Sequence, residues 1–482
     1  MPATVAPSAL VALLGNAWRR PGAAADGLAD ALRELVVDGR VATRTRVPSE
    51  RALAPELGVS RGTVSRAYDA LRADGHLASA RGAGSWLTLP GDAVAPSGMP
   101  APHELQPRRM VDLSCAALPA SDALLSAAAE RAARAVHRHT GGDGYTATGL
   151  PELREVVAAR LTARGVATRA DEIIVTSGAQ HALHLLLSVL CAPGDRVLVD
   201  APAYPRTLSA IRRARIRAVP VPLTDTGWDE DGWTAALASA GPRLAVVVPD
   251  FHNPTGLTMA AAQRSVLAEE CACAGTILVA DETLTELRLD GPAVPPPLAA
   301  HDPGAAVVTI GSMSKAAWGG LRLGWIRAAP SLVHELAVAR ADLDMASPVL
   351  DQLVAVELLA VWEQVLDVNR ARLRERRDVL LAALAEHAPE WEVRRPRGGM
   401  SAWVRMPAPV ATRLAAEAAR ERLLVTPGPA FSVDGTFERH LRLPYTAAPA
   451  QLEDAVRTLA SLAARLDPTE AGRPDLGTTL AF

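Results

Sequence analysis

A single lysine stands in a chain that otherwise uses arginine wherever a fixed positive charge is needed. The 482-residue sequence has 50 lysines and arginines, and Lys315 is the one lysine among them. A guanidinium stays protonated at any pH that a protein tolerates, whereas an ε-amine can lose its proton and attack a carbonyl group. A lysine kept at one position therefore points to chemistry that needs a nucleophilic nitrogen.

Lys315 is surrounded by residues that suit an aldehyde carrying a phosphate. The apolar run from 305 to 310 predicts a buried strand, after which Ser312, Ser314 and Arg322 are placed to bind a phosphate group. This layout predicts a pyridoxal-phosphate (PLP) site in which Lys315 captures the aldehyde. The segment also resembles the lysine segment of fold-type I aminotransferases, S-x-S-K-x(6)-R-x-G.

Length and composition restrict the class of protein. A chain of 482 residues predicts two or three domains, and 49% hydrophobic with 21% charged residues is typical of a soluble globular protein. No apolar run approaches the roughly 20 residues of a membrane span, and no charged region precedes an apolar one at the N-terminus, so we expect a cytoplasmic protein. The cysteines, which are scattered and predict reduced thiols rather than a metal site, are Cys115, Cys191, Cys271 and Cys273.

A small helical module is predicted at residues 27–89, after an N-terminal extension at 1–26. Ser49 can cap one helix and Gly58 can end it, and Ser60 can cap the next helix. Two short helices joined by a Gly-centred turn form a helix-turn-helix. The glycine-containing stretch that follows predicts a two-stranded wing.

Local charge indicates that this module binds DNA. Positions 40–66 carry six arginines against two glutamates, whereas the whole chain has a net charge of -3. The second helix is expected to enter the major groove by its N-terminal end, with Arg61, Thr63 and Ser65 opposite its apolar face. The string P-S-E-R-x-L-A…L-G-V-S-R-x-T-V resembles the GntR-type winged helix. That resemblance implies DNA contacts at Arg51, Arg61, Thr63, Arg81 and Gly82, and Ser60 and Ser65 complete the candidate set.

The larger part of the chain predicts an α/β fold. Beyond a proline-rich linker at 90–110, residues 111–466 alternate apolar strands with amphipathic helices, and a tail follows at 467–482. We therefore expect a multidomain chain with an N-terminal winged helix-turn-helix. The remainder resembles PLP-dependent transferases of fold type I, which implies a large domain around a mostly parallel sheet and a small C-terminal α/β domain.

Two strand ends supply further predicted contacts to PLP. The strand from 173 to 176 leads into small residues at a helix start, where free backbone N–H groups attract phosphate. Those residues are Ser177, Gly178, Ala179 and Gln180. Asp281 ends another buried strand, and a carboxylate there would keep the pyridine nitrogen protonated and make PLP an electron sink.

Four more residues match aminotransferase motifs, and their roles are implied by that resemblance. Tyr145 matches a tyrosine that often reaches the PLP phosphate of the partner subunit, and Tyr204 matches one that stacks on the pyridine ring. Asn253, in N-P-T-G, matches an amide that donates to the cofactor O3′. Arg442 matches the arginine that grips a substrate α-carboxylate, a task for which the planar guanidinium is suited.

The chain departs from the aminotransferase pattern at one position. The family commonly has a tyrosine two or three residues after the aspartate, hydrogen-bonded to O3′, and here Thr283 and Leu284 occupy those positions. We therefore expect slow transamination.

Three functions are open at this point. The combination resembles the MocR subgroup of GntR regulators, which implies a homodimeric, PLP-dependent transcriptional regulator that binds operator DNA and senses PLP or an amino compound. A working aminotransferase with an accessory DNA-binding module is the second possibility. A DNA-binding protein with a vestigial PLP site is the third, and the retained Lys315 argues against it.

Overall fold

A computed structural model describes residues 4–16, 18–19, 23–80, 84–89, 110–302, 304 and 306–466. The predicted wing contacts Arg81 and Gly82, the linker up to residue 109 and the tail from 467 lie outside these residues.

The N-terminal module is a winged helix-turn-helix, as predicted. Its elements are α1 (Pro7–Leu14), α2 (Ala24–Val37), β1 (Arg46–Val47), α3 (Glu50–Leu57), α4 (Arg61–Ala73), β2 (Leu77–Ala80) and β3 (Gly84–Leu87). The three strands form an antiparallel sheet in the order β1-β3-β2. Ser49 Oγ accepts from Ala52 N at 3.3 Å, and Ser60 Oγ accepts from Thr63 N at 3.1 Å. Gly58 ends α3 with a φ of 66°, so both predicted caps and the turn glycine are confirmed.

The N-terminal extension packs on this module. Leu10, Leu14 and Trp18 are buried in the same core as Leu28 and Leu32 of α2. The extension therefore adds an apolar face to a small domain that has little core of its own.

The large domain is built on an eight-stranded sheet. After β4 (Val111–Leu113), which joins the smaller sheet, the chain forms β5 (Ile173–Thr176), β6 (Arg196–Ala201), β7 (Arg217–Thr224), β8 (Gly227–Trp228), β9 (Leu244–Val247), β10 (Ile277–Asp281), β11 (Val307–Ser312) and β12 (Gly324–Arg327). The order is β5-β12-β11-β10-β9-β6-β7-β8, with β12 antiparallel to both neighbours and β8 antiparallel to β7. The remaining pairs are parallel, in agreement with the prediction.

Helices cover the sheet and build the rest of the C-terminal part. They are α5 (Asp122–Ala135), α6 (Pro151–Ala163), α7 (Ala179–Leu190), α8 (Pro205–Arg213), α9 (Glu230–Ala240), α10 (Ala261–Cys273), α11 (Met313–Ala316), α12 (Pro330–Arg340), α13 (Val349–Ala360), α14 (Trp362–His387), α15 (Ala411–Arg420) and α16 (Pro449–Ala463). The strands of the large sheet are almost continuously apolar because helices pack on both faces.

The small domain has a five-stranded sheet. Its strands β13 (Glu392–Val393), β14 (Ser401–Arg405), β15 (Leu423–Pro427) and β16 (His440–Pro444) join β4 in the order β13-β14-β16-β15-β4. β4 pairs in parallel with β15, so the chain leaving the winged helix enters the structure through the small sheet. No helix in the described parts of the chain has the length and apolar character needed to cross a membrane.

The strand ends bring the predicted site residues together. In an open α/β sheet, ligands bind beyond the carboxyl ends of the parallel strands. Ser177, Tyr204, Asp281 and Lys315 each follow the carboxyl end of a strand, although these strands are far apart in sequence. Asn253 lies in the loop that follows β9 at the same edge.

A buried ion pair holds the loop that carries Asn253. Arg264 Nη2 pairs with Asp250 Oδ1, both side chains are fully buried, and Thr285 Oγ1 donates to Asp250 Oδ2 at 2.7 Å. Arg264→Met should lower the free energy of unfolding by about 3–5 kcal/mol, because it leaves a buried carboxylate without its cation. Urea unfolding would measure this. Arg420→Met, which breaks an exposed pair with Glu417, should change stability by less than about 1 kcal/mol; equal effects of the two substitutions would contradict this role.

Candidate functional site

Lys315 lies on the short helix α11, directly after β11. Ser312 caps this helix, with its Oγ accepting from Ser314 N at 3.1 Å and donating to Leu323 O at 3.0 Å. The amine of Lys315 donates to Ala116 O at 2.7 Å. Lys315 therefore points across the site toward the chain that follows β4.

Asp281 lies near Lys315 at the end of β10. Its Oδ1 accepts from Thr283 N at 3.0 Å. Desolvation raises the pKa of Asp281, and its interactions with Thr283 and Lys315 only partly oppose this shift. Such a carboxylate is better matched by a cation at the site, and a protonated pyridine nitrogen is one.

A cradle for an anion forms between β5 and α7. Gly178 has a φ of 96°, and a Cβ built there would lie 2.9 Å from Arg322 Nη2. Arg322 Nη2 donates to Ser177 O at 2.8 Å. α7 begins at Ala179, so the N–H groups of Ala179 and Gln180 have no partner within the helix. A guanidinium beside a helix N-terminus suits a phosphate. The Ser177 hydroxyl itself donates to Asp344 at 3.0 Å.

Arg442 is a cation buried among neutral acceptors. It is 1% exposed, and its Nη2 donates to Ser114 O and, at 3.4 Å, to Thr426 Oγ1. Its Nε is buried without a partner, and burial lowers its pKa. No carboxylate of the described residues forms an ion pair with it. The guanidinium is thus preorganised for an incoming anion.

The other two aminotransferase-motif residues on this side of the site are Tyr204 and Asn253. Tyr204 precedes α8 and is close enough to Arg442 to influence its pKa. Asn253 Oδ1 is buried without a hydrogen-bond partner.

Sequence reasoning missed the segment that connects the two cations. Ser114, Cys115 and Ala116 follow β4, and we call them the strap. Arg442 donates to Ser114 O and Lys315 donates to Ala116 O. No motif signals this, because the strap contributes only carbonyl groups.

Tyr145 stands apart from the cradle. Its side chain is 62% exposed and makes no hydrogen bond with the described residues. The site of this single chain is therefore formed without it.

Thr283 and Leu284, which stand where aminotransferases commonly have a tyrosine, have structural roles. Leu284 is 7% exposed and packs in the core, while Thr283 turns its backbone N–H toward Asp281. Neither residue brings a phenol to the site.

Some of the residues predicted to contact DNA are exposed on the winged helix-turn-helix, and others are not. Arg51, Ser60 and Arg61 are exposed and Ser65 is half-buried. The expectation that Thr63 lies opposite the apolar face of α4 is wrong. Thr63 is 8% exposed and its Oγ1 lies 2.9 Å from Ser60 Oγ, because the cap interaction turns it toward the start of the helix.

Sequence reasoning also missed a contact between the winged helix and the small domain. Phe437 N donates to Val37 O at 2.6 Å, and the Phe437 ring packs on Gly39. Beside it, Arg405 Nη2 lies 3.2 Å from Asp38 Oδ2. These residues are distant in sequence and follow no periodic pattern, so only the fold reveals the contact.

Comparison with known proteins decides the family. Residues 108–459 match Aminotransferase class I and II, and residues 24–86 match the bacterial regulatory proteins of the gntR family. The chain belongs to the aminotransferase class I and II family and, through its additional GntR domain, to the MocR-type subgroup of GntR regulators.

Relatives of both kinds are similar to this MocR-type chain. The probable rhizopine catabolism regulatory protein MocR of Rhizobium meliloti is 29% identical, over 76% of this chain and 78% of that protein. The HTH-type transcriptional regulator TauR of Rhodobacter capsulatus is 27% identical over 89% and 95%. The crystal structure of LysN, an alpha-aminoadipate aminotransferase from Thermus thermophilus, has a TM-score of 0.68 at 28% identity, covering 76% of this chain and 96% of LysN.

The cofactor of the MocR-type chain is PLP, and the site fits it. Gly178 lets the Arg322 guanidinium approach the start of α7. Asp281 lacks a full cationic partner, and Asn253 Oδ1 has no hydrogen-bond partner among the described residues. Lys315 is the candidate amine for the aldehyde.

Reductive trapping tests the role of Lys315. Borohydride treatment of the PLP-loaded protein should attach the cofactor to the Lys315 peptide, because no other lysine exists. Lys315→Ala should trap none, as measured by peptide mass spectrometry. Attachment to the N-terminal amine alone would contradict the assignment.

Asp281→Asn should separate folding from cofactor binding. The pKa of Asp281 is raised above its ordinary value of 3.8, so its charge destabilises the cofactor-free fold at neutral pH. The variant should melt at a higher temperature without PLP, and this gain should disappear as the pH falls toward 3.8. PLP should bind roughly tenfold or more weakly, since the carboxylate partner is lost.

Both effects can be measured by thermal unfolding and absorbance titration. Asp367→Asn is the control, because its side chain is 78% exposed. A variant with lower stability, or with unchanged PLP affinity, would contradict the role given to Asp281.

Proposed function

We propose that this MocR-type protein is a PLP-dependent transcriptional regulator in which an amino acid, or PLP itself, changes the affinity of the winged helix for operator DNA. The observation that carries the proposal is the strap. Its carbonyls bind both Lys315 and Arg442, and in sequence the linker from the winged helix leads directly into β4 and the strap.

Each of the site residues would contact a different part of PLP. When bound, PLP supplies an electrophilic aldehyde and an electron-withdrawing ring. Lys315 would provide the amine, and Asp281 would hold a proton at the pyridine nitrogen. Tyr204 and Asn253 would position the ring. The phosphate would lie in the cradle, whose residues are Ser177, Gly178, Ala179, Gln180, Ser312, Ser314 and Arg322.

An amino-acid ligand would compete for both strap contacts. Its carboxylate offers Arg442 a charge-assisted bidentate partner, which is stronger than a neutral carbonyl. Its amine would take over the position that Lys315 holds in the site. A ligand of this kind favours the state in which the strap has moved, which is the differential affinity that a population shift requires.

A series of aromatic rings offers a second route to the winged helix. The Cζ atom of Arg442 lies 5.2 Å from the centroid of the Phe431 ring. The ring centroids of Phe431 and Trp403 are 5.4 Å apart. Trp403 stacks on His440 at 4.9 Å, and His440 contacts Phe437 at 5.9 Å. Phe437 then contacts α2 through Val37 O. Because these rings are packed against one another, a displacement of Arg442 would shift Phe437 and so change its contact with the winged helix.

The regulator is proposed to act as a homodimer. Large apolar side chains are unusually exposed around the site entrance; they include Tyr145 at 62%, Trp318 at 38%, Leu343 at 56% and Met345 at 49%. Exposed apolar groups of this size mark association surfaces, and a two-fold interface would place Tyr145 against the cradle of the other subunit. Two winged helices would then bind two half-sites.

The proposed domain boundaries are those predicted from the sequence, although α2 already begins at Ala24. The winged helix spans 27–89, with the extension 1–26 packed on it, and the linker runs to about residue 110. The aminotransferase-like domain spans 111–466, followed by the tail at 467–482. Arg51 and Arg61 are the leading candidates for DNA contact because both are exposed in the helix-turn-helix.

An active aminotransferase with an accessory DNA-binding module is the second candidate. The retained set of Lys315, Asp281 and Arg442 favours it. The lack of a phenol at Thr283 and Leu284 argues for slow turnover, since no group there stabilises the cofactor O3′. Rapid exchange of amino acids with 2-oxoacids would favour the enzyme over the regulator.

Arg442→Ala tests the proposed sensor. The variant should keep PLP and basal operator binding but respond to the amino acid at least tenfold less, because the carboxylate loses its bidentate partner. Operator affinity, measured on DNA that the protein retains from its own genome, would be titrated with a panel of amines. Arg457→Ala, at an exposed arginine that pairs with Asp454 on its own helix, is the control.

Two results would contradict the amino-acid clamp. One is a wild-type response from Arg442→Ala, and the other is an effective ligand without a carboxylate. Either would make PLP occupancy the signal.

A further inference from the structure

A stretch of strongly basic sequence lies outside the proposed DNA module. Residues 201–223 contain five arginines and no acidic residue, in a chain whose net charge is -3. They begin at Arg206 in the first turn of α8, continue through Arg212 and Arg213 in its last turn, and end at Arg215 and Arg217 before and within β7. All five are exposed.

The fold extends this charge across three strands. Arg196 and Arg217 are direct partners at the start of β6 and β7, and Arg243 N donates to Arg196 O at 2.9 Å, just before β9. Arginines therefore stand side by side at the amino ends of adjacent strands, which lie about 4.8 Å apart. Like charges placed directly opposite each other destabilise a sheet.

Local structure explains only part of this arrangement. Arg196 donates to Ala240 O at 2.7 Å and Arg243 to Leu190 O at 3.3 Å, so both bind carbonyls at helix C-termini. Arg212 and Arg213 suit the dipole at the end of α8. However, none of the five arginines between 201 and 223 forms an ion pair with a carboxylate of the described residues. Asp195, which precedes Arg196, is the nearby acid, and its carboxylate accepts from Ala192 N at 2.8 Å. Arginines therefore outnumber acidic residues on this surface.

We propose that this surface, the arginine edge, binds the sugar–phosphate backbone of DNA beside the half-site held by the winged helix. The arginine edge consists of Arg196, Arg206, Arg212, Arg213, Arg215, Arg217 and Arg243. The proposal rests on the proposed DNA-binding function and adds a second contact surface to it.

The dimensions of the arginine edge suit a nucleic-acid strand. Arg206 and Arg213 are seven residues apart on α8, about 10 Å along the helix axis, and a DNA strand places a phosphate every 3.4 Å or so of its axis. Guanidinium groups bind phosphate oxygens bidentately. A run of several unpaired arginines therefore meets several consecutive phosphates without reading the bases.

One end of the arginine edge lies near the contact with the winged helix. Ala203, just before α8, donates to Phe431 O at 2.8 Å. Phe431 belongs to the same turn-containing segment as Phe437, which touches α2. Arg206, three residues after Ala203, is the member of the arginine edge closest in sequence to this contact.

The test uses the full-length, PLP-loaded protein, and its probe is a 60-base-pair duplex taken from DNA that the protein retains from its own genome. Fluorescence anisotropy measures affinity between about 50 and 200 mM salt, the range in which phosphate contacts dominate the salt dependence. The edge variant carries Arg213→Gln, Arg215→Gln and Arg217→Gln. The matched control carries Arg134→Gln, Arg420→Gln and Arg457→Gln, three exposed arginines that each pair with an acid on their own helix.

Log affinity falls linearly with log salt, and the edge variant should make this fall less steep. The slope should shrink in magnitude by about 2.7, or 0.9 for each of the three lost phosphate contacts. The control should change the slope by less than about 1. Unchanged PLP absorbance would show that the fold is intact. An edge variant with the slope and affinity of the control overturns the proposal.

Arg61→Ala separates this outcome from failure of the winged-helix assignment. If Arg61→Ala weakens binding while the edge variant matches the control, the winged helix binds DNA and the edge does not. If the edge variant weakens binding and Arg61→Ala does not, the edge is supported and the proposed role of the winged helix fails.

Discussion

A buried guanidinium without a carboxylate is the constraint on which the rest of this structure depends. Arg442 is 1% exposed, and among the described residues it donates only to Ser114 O and Thr426 Oγ1, while its Nε has no partner there. A charge taken out of water needs a strong counterpart. Neutral oxygens stabilise it only in part, so the ligand-free fold keeps a cation whose best partner is absent. Asp281 has the complementary deficit, because burial raises its pKa and a cation would correct it. In the proposed function, a substrate carboxylate and the protonated ring of PLP would supply these two charges.

The strap connects Arg442 and Lys315 to the part of the chain that leads back to the winged helix. It is fixed at one end by β4, which pairs with β15, and its carbonyls contact Arg442 and Lys315. The small domain adds the ring series from Phe431 to Phe437, which ends at α2 of the winged helix. One route runs along the chain and the other through packed side chains. Both routes begin at Arg442. In the proposed function, a ligand bound to Arg442 would therefore act on the winged helix through the strap and through the ring series.

The sequence was sufficient to predict the parts of the fold and site that depend on local rules. Gly58 and Ser60 mark the turn of the helix-turn-helix because caps are chosen within a few residues. Asp281 and Lys315 meet because parallel strands end at one edge of the sheet. The strap and the contact of Phe437 with Val37 could not be predicted, since each joins backbone groups that lie far apart in the chain. Thr63 was misplaced for the opposite reason: helical periodicity put it outward, and its bond to the capping serine keeps it buried.

Hydrogen–deuterium exchange of the strap in the PLP-loaded protein tests the central claim most directly. The measurement follows the peptide that covers β4 and the strap, with and without the amino acid that changes operator affinity. Release of the strap should increase its amide exchange, because segments that lose their packing open more often. The peptide of α10, which is remote from the strap, should not change. If the ligand alters operator affinity while exchange in the strap stays constant, the strap does not carry the signal.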